Sequence, residues 1–263
     1  MEVSQPGLSI DQQTPTVGWG GFSSLLGGKG QEKAVVRWGG LLGILGGIIF
    51  VASIIYQVAF IGTGTTASGS GPIIRFPGLQ TQIEIGQTLF LIGTLLMVPL
   101  MLALYRSLRL SSLAPALFGL GLSFLGLAVL AVESEPNVAM AQISAQYHAA
   151  GATAAQQAAA VIVWQATQGM FNEFDTCAYI FLSVGFIFLG TAMWKALGYG
   201  KALGAVTAAI GVVGLIGVAS FPVTSASFAL PAALTFVVFP LLVGWKVFAL
   251  SRGPQTIAPM ASP

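Results

Sequence analysis

Six long apolar stretches govern what this chain can become, near residues 36–62, 85–105, 113–132, 174–194, 202–222 and 227–249. A helix rises ~1.5 Å per residue, so about 20 residues cross the ~30 Å of bilayer hydrocarbon. Of the 263 residues, 55% are hydrophobic and only 7% charged, against about 25% charged in an ordinary globular chain. So few charged groups cannot cover a water-exposed surface. The sequence predicts an all-α, polytopic transmembrane bundle of six helices. An extracytoplasmic, Ala/Gln-rich helical segment is expected between spans three and four.

The basic residues orient the threading. Lys29, Lys33 and Arg37 precede span one, and Arg106 and Arg109 lie between spans two and three. Lys195 and Lys201 bracket the turn between spans four and five, and Lys246 and Arg252 close span six. Of the 10 Lys and Arg, only Arg75 falls on the other side. Positive charge marks the cytoplasmic face, so both termini are expected there. Arg37-Trp38, Tyr105-Arg106, Trp194-Lys195 and Trp245-Lys246 fall on the same face, each pairing a ring suited to the headgroup zone with a cation. The layout is a disordered cytoplasmic tail over 1–34, a transmembrane domain over 35–250 with an outer cap at about 137–170, and a second tail over 251–263.

Two outer segments need separate treatment. Residues 137–170 are rich in Ala and Gln. A seventh span there would leave Gln142, Gln146, Gln156, Gln157 and Gln165 in lipid, at a cost for each. One or two helices lying over the bundle are expected, with Ile143, Tyr147, Ala150, Ala154 and Ala158 as a weak apolar stripe. Residues 62–82 are rich in Gly, Ser and Thr and hold Pro72 and Pro77, which predicts an irregular loop. Val223–Ala226 is expected to make a tight outer turn.

Several functions lack the residues they need. A net charge of +2 with scattered basic groups offers nucleic acid no footprint. One cysteine, Cys177, and one histidine, His148, cannot supply a disulfide, a Cys cluster, a His/Cys zinc site or bis-histidine haem ligation. No catalytic residue, metal ligand or cofactor is assigned.

Small residues and prolines shape the spans. Gly39, Gly43 and Gly47 form an i, i+4, i+8 stripe that admits another helix closely, within the chain or from a second copy or partner subunit. Gly204, Gly211, Gly214 and Gly217 do the same near span five. Pro99, Pro231 and Pro240 sit inside spans and bend them.

Five of the 8 acids, Glu84, Glu133, Glu135, Glu173 and Asp175, map to the outer rim with Arg75 and His148. Glu84 and the Asn172–Asp175 segment also suit helix N-termini, where negative charge is favoured. Glu133 stands at the C-terminal end of span three, where the helix dipole opposes it, so it calls for a partner, with Arg75 or His148 as candidates. Cys177 reads as a small packing residue. The candidate polar site is Glu133, Glu173, Asp175, His148, Arg75 and Glu84.

Val36-Arg37-Trp38-Gly39-Gly40-Leu41-Leu42, Ala103-Leu104-Tyr105, Asp175 ahead of Phe186-Ile187-Phe188-Leu189-Gly190, and Lys201-Ala202-Leu203-Gly204 give the chain a further likeness. Together they resemble an uncharacterised family of six-span bacterial membrane proteins, a domain of unknown function. The resemblance implies an inner-membrane location and the same threading, and carries over no substrate, cofactor or catalytic residue. Three functions stay open. The first is a lipid- or small hydrophobic ligand-binding or interaction subunit in the bilayer. The second is a small-solute or ion-coupled transporter using the acidic rim, and the third a membrane enzyme with Glu, Asp and His as acid–base groups.

Overall fold

A computed structural model describes residues 29–61, 70–133, 137–220 and 229–252. Residues 1–28 and 253–263 of the expected tails, Glu135 and the Val223–Ala226 turn lie outside them. The described chain is helical, with no strand: α1 (Lys29–Phe60), α2 (Gly71–Leu108), α3 (Leu113–Glu133), α4 (Asn137–Tyr147), α5 (Ala154–Lys195), α6 (Lys201–Ser220), α7 (Ala229–Ala233), a π-helical turn (Leu234–Val238) and α8 (Phe239–Arg252). Six helices, counting α7 through α8 as one, are long and apolar enough to cross a membrane.

Two helices far exceed the hydrocarbon thickness. With 38 and 42 residues, α2 and α5 reach roughly 57 and 63 Å. The expected loop over 62–82 is therefore helical from Gly71 onward. Pro72 fits the first turn, where a missing N–H costs nothing, but Pro77 lies inside the helix. Nor does α5 begin at the acids near 172. Its start is fixed by a capping box: Gln156 N–H donates to Thr153 Oγ1 (3.3 Å), and Thr153 N–H donates to Gln156 Oε1 (2.8 Å). Alanine has the strongest helix preference, and no proline interrupts the run to Lys195.

The bundle inverts the pattern of a water-soluble core. On α3 the buried positions include Ala116, Gly119, Ser123 and Gly126, while Leu117, Phe118, Leu125 and Val132 are exposed. Lipid solvates large apolar side chains, so little is gained by hiding them; close backbone packing holds the helices instead. A Cβ on Gly190 would stand 2.6 Å from the Gly204 carbonyl oxygen, so α5 and α6 touch backbone to backbone. Gly39 and Gly43 face Pro99, Leu100 and Ala103 of α2, and Gly47 faces Pro240 and Leu241. Larger side chains fill the centre: Met97, Leu100, Leu104, Leu182, Phe186 and Phe239 are fully buried, with the Phe186 and Phe239 rings stacked at 4.0 Å. The π turn ends two residues before Pro240, whose ring in a regular α-helix would press on the carbonyl four residues back.

A second core stands beyond the bundle, at the end away from most of the cations. There Ile73 and Phe76 of α2 pack with Met140 and Ile143 of α4 and Ala160 and Trp164 of α5. Phe76 meets Trp164 edge to face, ring centroids 5.2 Å apart. Pro77 cannot donate to the Ile73 carbonyl four residues back; the buried Ser144 hydroxyl does so from α4, at 3.2 Å. A helix-breaking residue thus leaves an acceptor that ties α4 to α2. The expected stripe through Ala150 does not form, because α4 ends at Tyr147 and the chain turns at Gly151, with φ of 83°.

The opposite end gathers basic groups. Glu32 Oε1 accepts from Arg106 Nη2 (3.2 Å) and Arg109 Nη2 (2.8 Å), joining the start of α1 to the end of α2. Ser107 near the end of α2 and Tyr199 in the α5–α6 turn share a hydroxyl contact. Burial pushes the Tyr199 phenol up to about 12, against the opposing effect of that hydrogen bond.

Candidate functional site

Where the outer core meets the bundle, a cleft of about 220 Å³ opens among α1, α2, α3, α4 and α5. One water needs roughly 10–15 Å³ of such space, so the cleft can take a ligand group or a cluster of waters. Its lining is mixed. Pro72, Phe76, Leu79, Ile83, Met140 and Phe171 supply apolar surface, while Arg75, Glu133, Asp175 and the amides of Gln57, Gln87, Gln168 and Asn172 supply polar groups.

The level of the cleft follows from the helix lengths. Gln57 lies roughly 20 residues after Arg37, Gln87 about 19 before Arg106, Glu133 about 20 after Leu113 and Asp175 about 20 before Lys195. Each helix has climbed about 30 Å from the basic end, one hydrocarbon thickness.

The Glu133 and Asp175 side chains lie beside each other at the cleft. Glu133 thus has Asp175 as a neighbour, a contact the sequence did not suggest, and Arg75 lines the same cleft. One turn along α5 from Asp175 is the buried Tyr179, its ring against Phe236 of the π turn at 5.7 Å. Further along that face, Ser183 is the last buried polar side chain of α5 before Phe186, Leu189 and Met193 fill the core.

Of the six candidate residues, Arg75, Glu133 and Asp175 line the cleft and the other three do not. Glu84 is exposed in mid-helix, receiving a hydrogen bond from Gln80 at 2.9 Å. Glu173 is exposed on α5, two residues from Asp175 and on another face. Neither serves a helix N-terminus, because both helices begin much earlier. His148 is exposed at the end of α4, its Nδ1 2.9 Å from the Ser144 carbonyl oxygen. Cys177 is exposed, so it is not a packing residue. Trp164, Phe76 and Gln168 were not singled out in the sequence, and Asn172 drew notice only as part of a helix start. The spacing of Ile73, Phe76, Leu79 and Ile83 was the available signal, since it keeps one helical face apolar through a stretch that otherwise reads as a loop.

No group of three or more His, Cys, Asp or Glu among the described residues is arranged to hold a metal ion. A cleft with both apolar and polar lining suits an amphipathic molecule. Comparison with protein-family models, curated proteins and solved structures finds no match to this chain.

Proposed function

We propose that this multi-pass membrane protein binds a lipid or other small amphipathic molecule in the cleft between bundle and cap. The mixed lining carries the reading: apolar side chains together with ionisable and amide groups, one hydrocarbon thickness from the basic end. A polar headgroup resides at that depth in a bilayer. The positive-inside rule favours the basic end as the cytoplasmic one, in a bacterial inner membrane with both termini inside, which makes the cleft outward-facing.

Native mass spectrometry and lipidomics of the purified chain test the binding. Wild type is expected to retain one molecule through detergent exchange. Leu79→Trp and Ile83→Trp, which enlarge apolar lining residues, are expected to lose it. Equal retention by the filled variants, or no retained molecule in wild type, overturns the reading. Labelling of Lys201→Cys in a Cys177→Ser background tests the orientation; reagent access from the outer side reverses it.

One observation favours a second reading, ion-coupled transport: a carboxyl pair at a cleft is a common proton-handling arrangement. Against it, the buried face of α5 is apolar from Phe186 to Met193, apart from backbone. Proteoliposome flux abolished by Glu133→Gln would favour transport over binding alone. The acid–base enzyme reading needs His148 beside the carboxyls, and His148 does not line the cleft.

A further inference from the structure

Close backbone contacts divide the bundle into two units. A Cβ placed on Gly46 would stand 3.2 Å from the Gly93 carbonyl oxygen, and one on Gly40 2.6 Å from the Phe248 nitrogen, so α1 lies backbone to backbone against α2 and α8. In the other unit, Gly119 and Gly126 of α3 approach the carbonyl oxygens of Gly185 and Ala178 at 3.0 and 2.8 Å. Gly190 approaches that of Gly204, so α5 is held in the same way between α3 and α6. Every described glycine whose added Cβ would meet a neighbouring helix backbone meets one of its own unit. Between the units the contacts come from side chains. Phe186 stacks on Phe239, the Tyr179 ring meets Phe236, and Met97, Met101 and Met193 belong to one core. Interlocked backbones move together, whereas a boundary of rings and flexible thioethers permits small shifts.

The chain passes between the units at two places. The first is the turn from Arg109 to Ser112 at the basic end, where Ser107 also meets Tyr199 across the boundary. The second is span six: Pro231 of α7 lies against Gly217 of α6, whereas Phe248 of α8 lies against Gly40 of α1. The π turn stands between those two attachments, with Pro231 and Pro240 on either side, and such breaks are where helices bend. At the far end the cap core joins the units, with Ile73 and Phe76 of α2 against α4 and α5. The cleft lies in this seam beside the cap, taking Gln57, Leu79 and Gln87 from one unit and Glu133, Phe171 and Asp175 from the other. Its 220 Å³ falls short of the roughly 300–1,000 Å³ of pockets that enclose a small molecule.

We propose that the two units swing apart about the basic end and so widen the cleft, with the cap core as the latch and the π turn of span six as the flexing joint. Admission of a ligand rests on the binding reading above; the movement itself does not. A stiff span six, gripping α6 at one end and α1 at the other, would lock the units together. The levers are α2 and α5: rods roughly 60 Å long part at the cap by about 10 Å for a swing of about 10°.

Distances between paired spin labels test this in the full-length protein in phospholipid bilayers, in a Cys177→Ser background. Ile74→Cys/Ile162→Cys reports across the cap, Leu102→Cys/Trp194→Cys across the seam near the basic end, and Val132→Cys/Ile162→Cys within one unit; all five side chains are exposed. The cap pair is expected to show a second population about 10 Å longer, the basic-end pair a change of at most about 2 Å, and the pair within one unit a single narrow distance. Phe76→Ala weakens the latch and is expected to raise the ratio of long to short cap distances about tenfold or more. Met140→Ala serves as the second variant if Phe76→Ala does not fold. A long population seen only in these variants still supports the latch. One short cap distance in wild type and in both variants overturns the proposal. Equal lengthening at both ends also overturns it, as does broadening of the pair within one unit, which would mean that the cap unfolds. Two cap distances in a protein that retains no amphiphile defeat the binding reading alone; a retained amphiphile with one short cap distance defeats the swing alone.

Discussion

The bundle and the cap are built from the same helices on opposite physical rules. Within the bundle, α3 hides Gly119, Ser123 and Gly126 and turns Phe118, Leu125 and Val132 outward. In the cap, the same α5 that shows Trp194 to its surroundings buries Trp164, against Phe76 of α2. Where hydrocarbon surrounds the helices, cohesion comes from close backbones and from hydroxyls bonded to their own helix, as Thr94 to Phe90 O and Thr176 to Asn172 O. In the cap, Ile73, Phe76, Met140, Ile143 and Trp164 gather into a small buried core, while Ile74, Ile162 and Val163 of the same segments stay exposed. The cleft lies where the two rules meet, and that junction leaves polar and apolar groups side by side.

Four measurements break or sharpen this contrast. The largest effect is expected from Phe76→Ala, which deletes a ring from a core of only six buried residues, at a cost of about 3–5 kcal/mol to the cap. Hydrogen exchange should quicken over 137–164 and leave α3 and α6 protected; uniform loss would mean the two regions fold as one. Next comes alkaline pH. A free tyrosine ionises near 10 and Tyr199 near 12, so the unfolded chain releases a proton that the folded chain keeps. Stability is therefore full below about pH 10 and falls as pH climbs toward 12, by at most about 2–3 kcal/mol. Melting curves of wild type and Tyr199→Phe should diverge across that window, and parallel curves would refute the burial of the phenol.

Gly190→Ala is expected to cost about 1–3 kcal/mol, because its methyl has no space against α6. Gly169→Ala, on the same helix with nothing within 4 Å of the added methyl, should instead be neutral or stabilising by up to about 1 kcal/mol. Equal Tm shifts for the two would dissolve the distinction between packed and open faces. The smallest effect, about 1 kcal/mol, is expected for Ser144→Ala, which leaves the Ile73 carbonyl without its donor. In a Pro77→Ala background the new N–H serves that carbonyl, so the cost should shrink; additivity in the double-mutant cycle would remove the proposed link.

How much of this the sequence disclosed follows the same boundary. Six spans were legible because lipid imposes a length and a hydropathy that a single chain displays openly. The cap was legible as a helical segment but not as a folded unit. Its apolar side chains are few, and Pro72 and Pro77 in a Gly/Ser-rich stretch signal a loop when read alone. Only Ser144, far along the chain, makes Pro77 tolerable inside a helix. The acids were misjudged for a related reason. Asn172 and Asp175 look like a helix start when hydropathy defines the helix, whereas the backbone obeys Thr153 and Gln156. That Glu133 would meet Asp175 depends on α3 and α5 lying side by side, which no local pattern encodes.

One feature of α2 and α5 bears on how the molecule moves. Both run unbroken from the cap to the basic end, so the cap has no joint on either rod. It cannot swing away like a hatch while the bundle stays still. Tilting the cap means tilting two of the six crossings, with the displacement felt at Arg106 and Lys195 some 60 Å away.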